Sequence, residues 1–258
     1  MAATAACGDD AESGARLGAT TTSTTPTTEP PTTAAPTTTA ASTSATTRQT
    51  TTTARPVANT QSCPLSAIGG GATDVTTKPG DFDGNGVVDT LRAYKLGSDW
   101  HLRVELSGAA SGHDVVVPGV DPGTGLKAVG GFNLDENQSN EAFVVIGSGA
   151  STTLVAIFVF KNCQLTRVTE MGNAATFQVG ASAQNRSGLS CVQGTALQTL
   201  SASAPPNTGT PFSGRRTTYD LVGSDLVQAN VSPQETFGLN DPGLAPFSRF
   251  TCGSLSLN

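Results

Sequence analysis

Hydrophobic and polar residues alternate with a period of two in several short segments of the chain. Residues 100–106, WHLRVEL, place apolar side chains at every second position, which predicts a β-strand with one buried face. Residues 142–146 and 154–160 are continuous apolar runs rich in Val, Ile and Phe, which is typical of strands buried on both faces. Glycine-rich turns separate these segments, and no segment keeps a helical period over three turns. The pattern therefore predicts an all-β fold.

A low-complexity segment precedes the predicted strands. Residues 19–53 consist almost entirely of Thr, Ser, Ala and Pro and show no hydrophobic periodicity. Such a composition cannot bury enough apolar area to offset the entropy lost on ordering, so we expect a disordered stalk over residues 19–59. This divides the chain into an N-terminal segment 1–18, the stalk, and a folded β domain 60–258. The stalk suits O-glycosylation at an exterior surface, and an unmodified linker is the alternative.

Small residues precede Cys7, and Gly8, Asp9 and Asp10 follow it. This segment resembles the lipobox of bacterial lipoproteins, particularly those of actinobacteria. The resemblance implies a signal peptide, lipidation of Cys7, and export to the outer face of the cytoplasmic membrane or the cell surface. Contact with the membrane is then expected only through the lipid anchor. An incidental tail cysteine is the alternative.

The five cysteines agree with an exported protein. An odd count leaves one thiol over, and a lipidated Cys7 accounts for it. The other four allow two disulfides in three connectivities, of which we favour Cys63–Cys252 and Cys163–Cys191; buried free thiols are the alternative. No CxxC pair is present, so the sequence offers no support for a zinc site or a thioredoxin-type redox motif.

The charge balance excludes one class of partner. The chain carries a formal net charge of -6 and has no basic stripe, so nucleic acid is not expected to bind. The longest apolar run, residues 154–160, is far shorter than the roughly 20 residues that cross a bilayer.

The segment 81–89, DFDGNGVVD, carries oxygen-bearing side chains at alternate positions. Calcium takes roughly six to eight oxygen ligands, and a glycine at position 6 permits the sharp turn that surrounds the ion. An EF-hand needs Glu at position 12, where this chain has Arg92, so the EF-hand is excluded. We predict one structural calcium site, with an Asx-rich turn that binds no ion as the alternative. The predicted ligands are the side chains of Asp81, Asp83, Asn85 and Asp89 and the backbone carbonyl of Val87.

A second, altered copy of this segment starts 52 residues later. It aligns without gaps and also leads into an apolar run. It has two carboxylates at the ligand positions in place of three, so we expect it to bind calcium weakly or not at all. Its corresponding residues are Asn133, Asp135, Asn137, Ser139 and Glu141.

The two segments resemble FG-GAP/VCBS-type repeats of secreted and surface proteins, in which a D-x-D-x-[DN]-G-x-x-D loop leads into a strand. A weaker third unit starts near Ser190. Segments 94–99 and 219–225 have similar sequences, as paired hairpins in neighbouring repeats would. The resemblance implies two to four repeated β-meander units in a short or incomplete propeller-like array. An open array of meanders and a β-sandwich also stay open.

Signals for catalysis are few. The chain has no Walker loop, G-x-G-x-x-G or H-E-x-x-H motif, so we predict no catalytic residues. We expect His101 and His113 to face solvent and Trp100 to pack in the core, with a sugar-stacking platform as the alternative for Trp100.

The repeat resemblance implies a non-catalytic, monomeric protein that binds or adheres to protein or envelope polysaccharide. The alternatives are a secreted hydrolase whose acidic residues converge only in the fold, and a purely structural envelope component.

Overall fold

The computed structural model describes residues 63–108 and 110–257, and these residues form an all-β fold, as the sequence predicts. The predicted lipidation site Cys7, the segment 1–18 and the stalk 19–59 lie outside the described residues. Within the described residues, no helix is long and apolar enough to span a membrane.

Four antiparallel strands in sequential order make the first sheet. They are β1 (Thr73–Gly80), β2 (Asp89–Leu96), β3 (Asp99–Leu106) and β4 (Ser111–Val116).

A second, larger sheet contains the other strands. Its first part is β5 (Lys127–Phe132), β6 (Glu141–Ser148), β7 (Thr152–Lys161) and β8 (Gln164–Arg167). Its second part is β9 (Thr169–Glu170), β10 (Asn173–Ala174), β11 (Phe177–Ala181), β12 (Asn185–Val192), β13 (Ala196–Ser203), β14 (Phe212–Val222), β15 (Asp225–Val231), β16 (Glu235–Phe237) and β17 (Phe250–Thr251). A 3-10 helix, Pro242–Ser248, precedes β17. Strand β11 joins the two parts because it pairs with both β7 and β12.

Strands β5–β8 form the middle of three layers. In β6, Ala142, Val144 and Ile146 pack into a core shared with the first sheet, whereas Phe143 and Val145 pack into a core shared with strands β12–β15. Side chains of β7 alternate between the same two cores. Burying such a side chain fully contributes about 1.5–3 kcal/mol. The prediction that residues 142–146 and 154–160 are buried on both faces is confirmed.

The alternating segment 100–106 also forms a strand with two different faces. Leu102 and Val104 of β3 are buried in the first of these cores, and Trp100 and Leu106 pack against it. The polar side chains of β3 lie on the opposite face, where they bond with neighbouring strands. A third, smaller core lies between β13, β14, β16 and the 3-10 helix, around Phe212 and Phe247.

The echoing segments 94–99 and 219–225 contain the same hairpin turn. Leu96 pairs with Asp99 between β2 and β3, and Val222 pairs with Asp225 between β14 and β15, so each turn has Gly-Ser at its two central positions. Gly97 has a φ of 63° and Gly223 a φ of 67°, a conformation that glycine adopts without strain. Each of the two segments is therefore a hairpin.

The four cysteines of the β domain form two disulfides, but the favoured pairing is wrong. The bonds join Cys63 to Cys163 and Cys191 to Cys252. The chain near Cys63 bonds with the edge of β4, where Gly112 N–H donates to the Cys63 carbonyl, and this places Cys63 beside the β7–β8 turn. Strand β17, next to Cys252, pairs in parallel with β12 instead of returning to the start of the domain.

Candidate functional site

The predicted calcium loop, residues 81–89, connects β1 to β2. Phe82 is fully buried in the first core and fixes the loop to the sheet. A β-carbon at Gly80 would lie 2.5 Å from the Phe82 ring, so the close approach of the strand end requires glycine there. The loop is therefore held by an apolar anchor at its second residue.

Side-chain oxygens at alternate positions accept hydrogen bonds from backbone N–H groups of the same loop. Asp83 Oδ1 accepts from Asn85 N–H at 3.1 Å, and Asn85 Oδ1 accepts from Val87 N–H at 2.6 Å. Asp81 Oδ2 accepts from Gly86 N–H at 2.8 Å. Asp and Asn favour such local bonds, which explains why this sequence makes a tight turn.

Asp89 closes the loop from the start of β2. Its side chain is buried, and its two carboxylate oxygens accept from Phe82 N–H at 2.9 Å and from Ser107 N–H at 2.8 Å. Burial raises the pKa of the Asp89 carboxyl; the two backbone bonds oppose this shift, and the nearby charges of Asp83 and Asp81 add to it. Asp89 therefore both fastens the loop and adds negative charge to it.

Three carboxylates converge in this loop. Asp81, Asp83 and Asp89 each offer an oxygen within 4.8 Å of the others. Asp81 Oδ1 is buried and has no hydrogen-bond partner among the described residues. A buried carboxylate oxygen without a partner is costly, and a hard cation would satisfy it. The donor set therefore fits calcium. Arg92, at the EF-hand position, lies in β2 and pairs with Glu105 at 3.1 Å.

The second loop, residues 133–141, connects β5 to β6 and repeats these bonds with a shift of 52 residues. Leu134 N–H donates to Glu141 Oε2 at 2.6 Å, and Asn137 N–H donates to Asp135 Oδ1 at 3.0 Å. Ser139 N–H donates to Asn137 Oδ1 at 2.8 Å. Gln138 has a φ of 72° at the position where Gly86 has 80°, so the backbone makes the same turn without glycine.

The chemistry of the second loop differs from that of the first. Burial raises the pKa of Glu141 to about 8, so this carboxyl keeps its proton at neutral pH. Asn133 supplies an amide where the first loop has Asp81, and its Nδ2 donates to the Ser139 carbonyl at 3.0 Å. Within the described part of the chain, the only group of three or more His, Cys, Asp or Glu side chains close enough together to hold a metal ion is that of the first loop.

The two loops lie side by side. Asn140 N–H donates to the Asp81 carbonyl at 2.7 Å, and a β-carbon at Gly84 would lie 3.2 Å from Ser139 N. Asp83 and Asn137 line a common cavity of about 240 Å³. The two loops are therefore in direct contact.

The two histidines are not free in solvent, contrary to the sequence-based expectation. His101 Nδ1 lies 2.9 Å from Asp114 Oδ1, and His113 Nδ1 accepts from Leu165 N–H at 3.1 Å. Sequence reasoning missed this because Asp114 reaches His101 only through the pairing of β3 with β4. Trp100 packs against the first core, as predicted, and Lys95 Nζ lies 5.5 Å from the centre of its ring.

Comparisons of the chain with protein-family models, with curated proteins and with solved structures found no match.

Proposed function

We propose that residues 60–258 form a calcium-stabilised β-repeat module that binds protein or envelope polysaccharide without catalysis. In this proposal the chain is an exported, monomeric lipoprotein of the FG-GAP/VCBS type, anchored through Cys7 and displayed at the cell surface. One observation carries the calcium part: three carboxylates, those of Asp81, Asp83 and Asp89, converge in loop 81–89.

The likeness of the β1–β2 and β5–β6 hairpins supports the repeat. β2 and β6 both have eight residues and start 52 residues apart, at Asp89 and Glu141. Gly80 pairs with Asp89 as Phe132 pairs with Glu141, so the two hairpins share their register next to the loops, and a bulge between Ala128 and Gly130 shifts it farther along β5. Similar loop bonds, the same register beside the loops and the equal length of β2 and β6 are expected of two copies of one unit.

Calcium in the first loop would be structural. A cation between the three carboxylates would offset their mutual repulsion and satisfy Asp81 Oδ1. Because the second loop lies against the first, one ion would stiffen the edge where both hairpins turn. The module would then present a rigid surface, which lowers the entropy lost when a ligand binds.

The disulfides support the proposed location. Two disulfides are typical of proteins that fold in an oxidising compartment outside the cytoplasm. With Cys63, Cys163, Cys191 and Cys252 paired, Cys7 is the one cysteine outside these bonds. Loss of the chain from the membrane fraction in a Cys7→Ala variant would test the anchor.

The function is tested by sedimenting the full chain with isolated actinobacterial envelope, separated into protein and polysaccharide fractions. We expect the chain to sediment with one fraction in calcium and to stay in solution after chelation or in Asp83→Asn. Asp135→Asn, the matched change in the second loop, is expected to sediment like the wild type. Absence of sedimentation with either fraction, or sedimentation unaffected by chelation and by Asp83→Asn, would contradict the proposal.

A further inference from the structure

A cavity of about 360 Å³ lies between residues 64–69 and the polar face of β2–β4. The chain has only two histidines, and His101 and His113 both line this cavity. Its volume falls in the range of small-ligand sites, which combine apolar walls with a few fixed polar groups. The cavity is separate from the acidic loops described above, because none of their carboxylates lines it.

Asp114 organises one wall of the cavity. It accepts hydrogen bonds from the Tyr94 hydroxyl, from His101 Nδ1 at 2.9 Å and from Arg103 at 3.4 Å. The Tyr94 ring stacks on His101 with 5.0 Å between ring centres and 14° between planes. These contacts fix the imidazole and place its proton on Nδ1. In the neutral ring Nε2 of His101 is then a hydrogen-bond acceptor.

His113 has the opposite arrangement. Its Nδ1 accepts from Leu165 N–H, so Nδ1 carries no proton and Nε2 must carry it. The remaining ring nitrogen of His113 is therefore a donor, whereas that of His101 is an acceptor. A hydroxyl group both donates and accepts, so this pair suits neighbouring hydroxyls on one ligand.

The charges around the cavity are already paired. Arg103 bonds to Glu105 at 2.9 Å and to Asp114 at 3.4 Å, and Arg92 bonds to Glu105 at 3.1 Å. Arg92 and Glu105 lie outside the lining of the cavity, in which Arg103 is the one Arg or Lys and Asp114 the one acid; because these two are paired, no spare charge is left to recognise an anion. The cavity is instead completed by apolar side chains of Leu65, Ile68 and Leu96.

We infer that this cavity binds a neutral, polyhydroxylated ligand, a sugar unit of a saccharide, between the histidine pair and the apolar wall of residues 64–69. The inference rests on the proposed function, because it names the polysaccharide and not the protein as the ligand of the module. Hydroxyls meet the acceptor of His101 and the donor of His113, and the C–H face of the sugar lies against Leu65 and Ile68.

The tautomers are read first, by ¹⁵N NMR of the histidine rings in the wild-type full chain. We expect His101 in the Nδ1–H form and His113 in the Nε2–H form, and addition of saccharide to shift the Nε2 resonance of each ring. Finding both rings in the same tautomer would overturn the inference. This measurement needs no variant, so it does not depend on a mutant that folds.

Binding is then measured by calorimetry with neutral hexaoses of glucose, mannose, galactose and N-acetylglucosamine. The amide group of Asn lies near the position of histidine Nδ1, so Asn at position 101 can still donate to Asp114 and Asn at position 113 can still accept from Leu165 N–H. Asn has no atom at the position of Nε2. We therefore expect His101→Asn and His113→Asn to bind at least one hexaose about tenfold more weakly than the wild type. Trp100→Phe, which changes a different cavity, is the matched control and should bind normally.

The outcomes separate the two proposals. If Trp100→Phe loses saccharide binding while the histidine variants keep it, the cavity assignment is wrong. If the wild type binds an envelope protein or a charged polysaccharide in a calcium-dependent way but no neutral hexaose, this inference fails and the proposed function stands. If the wild type binds a neutral hexaose and the histidine variants lose it, but no binding depends on calcium, the cavity assignment stands and the calcium part of the proposed function fails; absence of any binding overturns both.

Discussion

Asp89 Oδ2 accepts a hydrogen bond from the backbone N–H of Phe82 at 2.9 Å, and this bond ties the two ends of the acidic loop together. It joins a buried apolar anchor to the first residue of the next strand. Leu134 and Glu141 make the same bond in the second loop. The two acids differ in chemistry, because burial raises the pKa of Glu141 to about 8.

Asp89→Asn should destabilise the protein more than Glu141→Gln at pH 7. Both oxygens of Asp89 accept backbone N–H groups, so an amide would place its NH₂ against a donor and leave one N–H unsatisfied, at about 1–3 kcal/mol. Glu141 keeps its proton, and Gln retains an acceptor for Leu134 N–H. Urea unfolding in the presence of a chelator measures the free energy of unfolding of both variants. An equal loss of stability in the two variants would contradict this account.

Shortening a buried side chain in the middle layer should destabilise the fold. Ile157 of β7 is fully buried in the core shared with β12–β15, and Ile157→Ala should lower the free energy of unfolding by about 2–5 kcal/mol. Met171, 86% exposed in the turn between β9 and β10, is the control, and Met171→Ala should change stability by less than about 0.5 kcal/mol. Denaturant curves for both variants check this. A similar effect at the two positions would mean that the face of β7 that carries Ile157 is not packed against β12–β15.

The disulfide pairing can be read from a non-reduced peptide map. We expect peptides that join Cys63 to Cys163 and Cys191 to Cys252. The second bond closes a loop with a sequence separation of 61, so replacing both of its cysteines by Ala should cost about 2–5 kcal/mol. Recovery of a Cys63–Cys252 peptide from native protein would contradict the arrangement of β4, β12 and β17.

The ionisation of Tyr94 should be displaced to high pH. Burial, together with its hydrogen bond to Asp114, raises the pKa of Tyr94 to about 12 from the ordinary value of 10.0. A raised folded-state pKa stabilises the fold below pH 10, and this stabilisation is lost as the pH rises toward 12. Tyr219→Phe leaves Tyr94 as the only tyrosine, so ultraviolet titration of that variant reads it directly. A midpoint near 10 with the fold intact by circular dichroism would show that the Tyr94–Asp114 contact is absent.

Much of the fold could be predicted because its signals are local. The alternation in residues 100–106 and the apolar run at 154–160 specify which faces of β3 and β7 are buried, and the hairpin at Gly97 depends on neighbouring residues alone. Loop 81–89 was predictable for the same reason, since Asp and Asn side chains bond to backbone groups two residues away.

What could not be predicted depends on which distant strands become neighbours. The pairing of Cys63 with Cys163 follows from the contact of β4 with β8, which no local pattern encodes. The histidine cavity requires the register in which Arg103 opposes Asp114, together with the position of residues 64–69. The alternation of residues 100–106 does place His101, Arg103 and Glu105 on one face of a strand. This pattern was the one sign in the sequence that the three side chains lie close together.

The central claim is tested most directly by calorimetric titration of calcium into the chelated full chain, with thermal melts alongside. We predict about one ion per chain in the wild type and in Asp135→Asn, no binding in Asp83→Asn, and a melting temperature raised by calcium only where it binds. Absence of binding in the wild type, or equal binding in Asp83→Asn, would contradict the claim that Asp81, Asp83 and Asp89 form a calcium site.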